Sequence, residues 1–331
     1  MESSVSRREF LSGLGALAAV AIAPGTSHAL SAPAIYPPLY PAMLYPPRDL
    51  SYFDMPISAA PSDIRIGYAA ITWGNSEKQA MEDIASAGYR GIQFRANATK
   101  DFQPAQLRDA LQERGLTMVA LSSGDVHSFP AQRPIDIAQH VANAKFLHDV
   151  GGLYLQLIDQ PPPNQAATAD TYKSLGSVLT EIGKRTADLG VVLGYHNHMN
   201  TLSEHPDGLD RVLDAADPRY VKLELDVAHC FEGGGDPVQM IEKYKERLLF
   251  LHLKDVEELP PAVNRSKPIQ RFVELGQGKV DLPAVVKALH RIKFRGWAIV
   301  ELDRENEASR TPKESALMSR KYLEERLGLA L

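Results

Sequence analysis

The sequence predicts an α/β protein of the (β/α)8 barrel class, preceded by a signal peptide and a proline-rich arm. Three observations predict it. Strand-like and helix-like segments alternate eight times from residue 63 to the end of the chain, and such alternation gives parallel strands covered by helices. Eight units over about 250 residues match a closed barrel. Polar residues gather at the C-terminal ends of the later strands, where barrels of this kind carry their sites.

The chain begins with "SRREFLSGLGALAAVAIAPGTSHA". Arg7 and Arg8 form a twin-arginine pair, with Phe10, Leu11 and a short apolar run to Ala23 behind them. The run is too short to span a bilayer stably. Ser27, His28 and Ala29 form a small-residue cleavage site. Residues 1–29 therefore read as a twin-arginine signal peptide. It implies the twin-arginine translocase as a partner, and a periplasmic or otherwise exported location; an uncleaved membrane anchor is the alternative. Residues 30–62, rich in proline and tyrosine, cannot form an ordinary helix or central strand. They read as an extended arm that packs on the barrel or on a neighbouring copy in a homo-oligomer, or as a spacer.

The barrel domain spans residues 63–331. Its strands are "IRIGYAAI", "YRGIQFR", "LTMVALSS", "LYLQLID", "VVLGYHN", "YVKLELD", "LLFLHLK" and "WAIVEL". The helices between them are expected over 77–87, 104–114, 135–149, 171–189, 206–215, 237–244, 282–291 and 312–327. Gly88, Gly115, Gly190 and Gly296 stand where helices hand over to strands. An open doubly wound sheet is the competing fold; it lacks support because no Gly-x-Gly-x-x-Gly turn follows the first strand.

Composition excludes several function classes. Among 331 residues there are 36 basic and 41 acidic side chains, a net charge of -5, with no basic block; nucleic-acid binding has no electrostatic footprint. Cys230 is the one cysteine, which rules out an intrachain disulfide and a cysteine-rich zinc site.

The strand ends carry the chemistry. The first strand ends near Trp73, and the fourth carries Gln156. The fifth ends with His196, Asn197 and His198; the sixth ends at Asp226, with His229 beyond. The seventh carries His252, Lys254 and Asp255, and the eighth Glu301 and Asp303. Alternation along a strand puts His252 with Lys254, and Glu301 with Asp303, on one face. A lone aspartate at a strand end is usually a helix cap. Asp226, Glu301 and His252 buried together need a cation, because two carboxylates otherwise repel. Mixed nitrogen and oxygen donors suit a divalent ion, Mn2+ first, with Zn2+, Co2+, Fe2+ or Mg2+ as alternatives. Lys254 can hold an oxyanion or pair with Asp255.

With "YHNHMN", "LELDVAHC", "GGGDP", "FLHLKDV" and "AIVELD" in order on successive strands, the chain resembles the xylose isomerase-like TIM barrel superfamily of sugar isomerases and epimerases, over most of residues 63–327. Relatives in that superfamily include inosose dehydratase, ketose 3-epimerases, hydroxypyruvate isomerase and endonuclease IV. The resemblance implies that Asp226, His252 and Glu301 are metal ligands and that His229 contacts substrate. Many relatives carry a glutamate ligand on the fifth strand; here the fourth ligand is His196, His198 or Glu204. Candidate substrate contacts are Trp73, Gln156, His198, His229 and Lys254. Candidate catalytic groups are Glu301, His196, Glu204 and His229. The loop "ELGQGKVD", Glu274 to Asp281, borders the site in relatives.

The implied activity is metal-dependent isomerisation or epimerisation of a small-molecule carbohydrate through an enediolate. Elimination from the same intermediate would make the protein a lyase or dehydratase. Export favours a keto-sugar, keto-glycoside or cyclitol without phosphate. Metal-assisted phosphodiester hydrolysis and a non-catalytic sugar-binding barrel are the competing classes; the acidic balance argues against the former.

Overall fold

The structure is a computed structural model and describes residues 62–163, 166–259, 269–303 and 309–331. The signal segment and the arm, apart from Ser62, lie outside these residues. Eight parallel strands close into a barrel. They are β1 (Asp63–Ala69), β2 (Gly91–Arg95), β3 (Thr117–His127), β4 (Tyr154–Gln160), β5 (Val192–His196), β6 (Val221–Asp226), β7 (Leu248–Leu253) and β10 (Arg295–Val300). Each pairs with its sequence neighbour, and β1 closes the ring against β10, with Asp63 opposite Arg295. The strands β8 (Asp255–Leu259) and β9 (Ile269–Val273) form a separate antiparallel ribbon after β7. Sequence patterning did not predict this ribbon.

The covering helices begin where their local chemistry says they should. Pro104, Pro206, Pro237 and Pro312 occupy the first helical position, where a missing N–H costs nothing. Thr168 caps the helix Ala169–Asp188 reciprocally with Thr171, and Thr311 caps Pro312–Arg326 reciprocally with Glu314; each pair satisfies two otherwise orphaned N–H groups. At the helix-to-strand handovers, Gly88, Gly115 and Gly190 have φ of 93°, 64° and 70°, the left-handed region that glycine enters without strain. Gly296 does not serve that role. It lies within β10, and Lys293, with φ 54°, makes the turn instead. Strand β3 runs on to His127, past the expected end at Ser123, through a register shift beside Gly124, whose φ is 98°.

Two apolar layers and one polar layer result. Leu155, Leu223, Leu251 and Leu253 face the helices as part of the large outer core. Inside the barrel, Val119, Tyr154, Phe250, Trp297 and Ile299 form an apolar plug, with the rings of Tyr154 and Phe250 stacked 5.2 Å apart. Two residues further along the same strands, alternation turns the interior polar: Gln156 follows Tyr154, His252 follows Phe250, and Glu301 follows Ile299. The plug therefore forms a dry floor, and the side chains above it face the C-terminal mouth. No described helix is long and apolar enough to cross a membrane.

Candidate metal centre

Asp226 closes β6 with φ -86° and ψ 118° and begins the helix Val227–Glu232. Its two oxygens have separate tasks. Oδ1 caps the helix, accepting from the N–H groups of Ala228 and His229 at 2.8 Å each. Oδ2 is buried without a hydrogen-bond partner and stands 3.6 Å from His252 Nδ1. Burial pushes this carboxyl up, but the fields of His229 and Lys254 outweigh burial and hold it well below the carboxylate range.

His252 is opposite Asp226 in the β6–β7 register and has no solvent exposure. Its Nε2 faces downward. It donates to Gln93 Oε1 at 3.0 Å, and Gln93 Nε2 in turn donates to Gln156 Oε1 at 3.0 Å. Glu224 Oε1 is closer to Nε2, at 2.7 Å, yet accepts no hydrogen bond; angle rather than distance assigns the proton to Gln93. That leaves Nδ1 unpartnered, 3.4 Å from Glu301 Oε1. Burial alone would strip a proton from this ring, but the charges of Glu224 and Glu301 reverse the effect and raise its pKa well above the usual histidine value.

An ion fits these residues on observation as well as on donor chemistry. Asp226 Oδ2 and His252 Nδ1 are buried and unpartnered. Donor atoms of His196, Asp226 and His252 lie within 4.8 Å of one another, and Glu301 Oε1 is within reach of the same His252 nitrogen. Unpartnered buried polar atoms are costly, and nitrogen with carboxylate oxygen is a donor set for a divalent cation.

Lys254 lies beside this cluster, fully buried. Nζ is 3.0 Å from Glu301 Oε1, 2.5 Å from Asp303 Oδ2 and 3.8 Å from Asp226 Oδ2. Burial would lower its pKa, but Glu301, Asp303 and Asp226 together raise it and keep the ammonium charged. Phe272 of the β8–β9 ribbon covers it, with its ring centroid 4.0 Å from Nζ, in reach of a cation–π contact. His229 stands on the other side, Nε2 3.3 Å from Lys254 Nζ and Nδ1 3.2 Å from Glu232 Oε2. Nδ1–H thus donates to Glu232, and Nε2 accepts. Burial pushes His229 down to about 3 and Glu232 up to about 7.

The other expected residues are distributed unevenly. His196 ends β5 at the cluster, its ring 4.9 Å from that of His252. Burial holds its pKa well below the usual histidine value. His198 lies beyond the strand, its ring 3.8 Å from His229 and its Nδ1 donating to the Met199 carbonyl at 2.7 Å. Glu204 is turned to its own loop: Oε2 accepts from Asn200 N–H at 2.8 Å, and Oε1 lies 3.7 Å from His205 Nε2. No described contact joins it to the cluster. Trp73 donates its indole N–H to Asp83 at 2.8 Å and packs edge-on against Tyr68, as a core residue would. Gln156 belongs to the polar layer below the Asp226–His252 cluster, accepting from Gln93. The expected pairing of Lys254 with Asp255 does not occur. Asp255 accepts instead from the backbone N–H groups of Val256, Gly276, Gly278 and Val280, which fastens the Glu274–Asp281 loop beside the site.

Sequence reasoning missed Asn197 as a clasp, and Glu224, Gln93, Glu232 and Phe272. Glu224 was findable, since alternation in "LELD" puts it on the face of Asp226. Gln93, the one amide in "GIQFR", carried the same signal. Glu232 is one helical turn after His229, whereas nothing local marks Phe272.

A parallel barrel with imidazole and carboxylate donors converging above an apolar floor defines a (β/α)8 protein with a candidate metal site. The family model of the xylose isomerase-like TIM barrel matches residues 81–325, and the chain belongs to that family. It is 26% identical over 297 residues to an inosose dehydratase of Clostridium beijerinckii, covering 80% of this chain and 98% of the relative. An inosose dehydratase of Lacticaseibacillus casei is 26% identical over 293 residues, covering 79% and 96%. Among solved structures, a zinc-bound IolI protein superposes with TM-score 0.68 at 21% identity, covering 80% and 98%. An L-ribulose 3-epimerase superposes with TM-score 0.65 at 19% identity, covering 80% and 95%. At these identities the two structures establish the fold alone.

Proposed function

We propose that the protein is a metal-dependent enzyme that removes a proton next to the carbonyl of a carbohydrate or cyclitol. The carrying observation is the convergence of Asp226 Oδ2 and His252 Nδ1, buried and unpartnered, with Glu301 Oε1 3.4 Å from the latter. Asp226, His252, Glu301 and His196 would hold the ion. Mn2+ suits this nitrogen and oxygen set, and the zinc of the IolI structure supports a divalent ion in general. When bound, such an ion supplies Lewis-acid polarisation of a substrate carbonyl.

The chain's own groups supply the rest. Lys254, held charged by its carboxylate neighbours, offers hydrogen bonds to a substrate oxygen that gains charge. His229 Nε2 accepts the α-proton, while its Nδ1–H stays on Glu232. Glu301 is the alternative base; the charges of His252 and Lys254 overcome burial and hold its carboxyl well below the usual value, as burial holds His229 down. Phe272 and the apolar floor exclude water. Return of the proton to the opposite face gives an epimer, and return to the adjacent carbon gives an isomer. Departure of a β-substituent completes an elimination. The inosose dehydratase relatives favour this last outcome as a second reading of the same site. The twin-arginine pair Arg7 and Arg8 supports an exported enzyme and hence a substrate without phosphate.

The test is exchange in deuterated water. Mn2+-loaded protein incubated with free ketoses, inososes and 3-keto-glycosides should place deuterium on the α-carbon, or yield an unsaturated product, for at least one of them. Binding without exchange or product across the panel would leave a sugar-binding barrel and overturn the enzymatic reading.

A further inference from the structure

Glu224 is a buried carboxylate that the proposed chemistry does not use. It has no solvent exposure, and neither oxygen has a hydrogen-bond partner among the described residues. A core position with no functional demand would hold an apolar side chain, because burying a carboxyl without hydrogen-bond partners is costly. Its surroundings show what it faces. In the register, Glu224 is opposite His196 on β5, and Asp226, two residues on, is opposite His252 on β7. Glu224 therefore lies one layer deeper than Asp226, beneath both imidazoles. Oε1 is 2.7 Å from His252 Nε2 and 3.6 Å from His196 Nδ1. The latter nitrogen is itself buried and unpartnered.

We propose that Glu224 is a positioning residue for the metal centre: its buried carboxylate, beneath both imidazoles, favours by its charge the proton on the lower nitrogen of each, Nε2 of His252, whose N–H Gln93 accepts, and Nδ1 of His196, so that His252 Nδ1 and His196 Nε2 are presented upward to the ion. The inference rests on the metal site proposed above. Gln93 assists on one side only. Its amide is oriented by Gln156, so that Oε1 faces His252, and it makes no described contact with His196. Partners of the outer N–H of a ligating imidazole fix its tautomer, and their loss typically weakens metal affinity by about 10- to 100-fold; for His252 that role is shared between Gln93, which accepts the hydrogen bond, and Glu224, whose oxygen stands 2.7 Å from the same nitrogen.

A packing role and a positioning role predict opposite pairings of two measurements. Glu224→Gln and Glu224→Leu should leave the metal-free protein about as stable to heat as the wild type, since no hydrogen bond is lost with the carboxylate. Both should bind Zn2+, measured by calorimetry with the ion alone, about 10- to 100-fold more weakly. Spectra of 15N-histidine-labelled, Zn2+-loaded protein should show His196 and His252 each protonated on the nitrogen named above, and a mixture of tautomers at His196 in Glu224→Gln. Zn2+ affinity unchanged within twofold would overturn the inference while leaving the metal site intact. So would affinity and metal-free stability falling together in both variants. A wild-type protein that takes up no ion would overturn the metal reading, and this inference with it.

Discussion

Asn197 and Asp226 exchange two hydrogen bonds across β5 and β6. Asn197 Nδ2 donates to the Asp226 carbonyl at 3.1 Å, and the Asp226 N–H donates to Asn197 Oδ1 at 2.9 Å. Both residues are buried, so the amide of one strand end supplies the backbone partners of the next. This clasp ties the end of β5, next to His196, to the backbone of Asp226. In Asn197→Ala, two buried backbone groups lose their partners, at about 1–3 kcal/mol each where no water replaces them. Urea denaturation should show a loss of about 2–6 kcal/mol, with weaker ion binding. Unchanged stability would mean that the clasp is incidental.

Lys254 occupies a buried position among Glu301, Asp303 and Asp226. Removing one partner of a buried charge group typically costs about 3–5 kcal/mol, so Lys254→Met should destabilise the metal-free protein by about that amount. A divalent ion would then compensate the remaining carboxylates. Added Mn2+ should raise the melting temperature of the variant by more than that of the wild type, while turnover is lost. Equal shifts in the two proteins would show that the ammonium and the ion do not share a field.

Glu77 gives a pH prediction away from the centre. It begins the helix Glu77–Ser86, is 2% exposed, and neither oxygen accepts a hydrogen bond among the described residues. Arg95 Nε is 3.7 Å away. Burial, only partly offset by Arg95, pushes the carboxyl up from 4.5 to about 7. A folded-state pKa above the unfolded value means that its contribution is fully present below pH 4.5 and lost as pH rises through 7. Glu77→Gln removes the titration. Relative to wild type, the variant should gain stability between pH 4.5 and 7.5, on the order of 3 kcal/mol at most. A difference between the two proteins that stays flat across this range would show that Glu77 is not buried as described.

Asp255 collects four backbone N–H groups, two on each oxygen, between 2.9 and 3.1 Å. Three of them come from the Glu274–Asp281 loop. Asp255→Ala should release that loop, and amide exchange at 276, 278 and 280 should quicken at least tenfold while the amides of β1 to β6 keep their protection. Uniform loss of protection would indicate global unfolding and a different role for Asp255.

The barrel was legible in the sequence because each of its eight units repeats one local pattern, an apolar run followed by an amphipathic helix. The site was legible where a strand end carried two polar residues spaced by two, as in His252 with Lys254. It was illegible where the signal needed partners from elsewhere. For Trp73 and Glu204 position alone is no guide to orientation: the indole N–H of Trp73 is taken by Asp83 of the following helix, and Glu204 Oε2 by the N–H of Asn200. The β8–β9 ribbon was missed because its strands are short, and the stretch between them, with prolines at 260, 261 and 268, lacks the Asn-Gly or Asp-Gly signal of a tight hairpin. Lys293 could not be foreseen at a turn where glycine is the ordinary occupant.

Phe272 reaches over Lys254 and stands edge-on to His229, with ring centroids 5.1 Å apart, yet it belongs to the added ribbon and not to the barrel. The wall over Lys254 and His229 is thus separable from the scaffold that aims them. Exchanging or lengthening that ribbon would recut the shape of the entrance while Asp226, His252 and Glu301 keep their places. Diversification of what the enzyme accepts can therefore proceed by grafting, with the inherited chemistry left untouched.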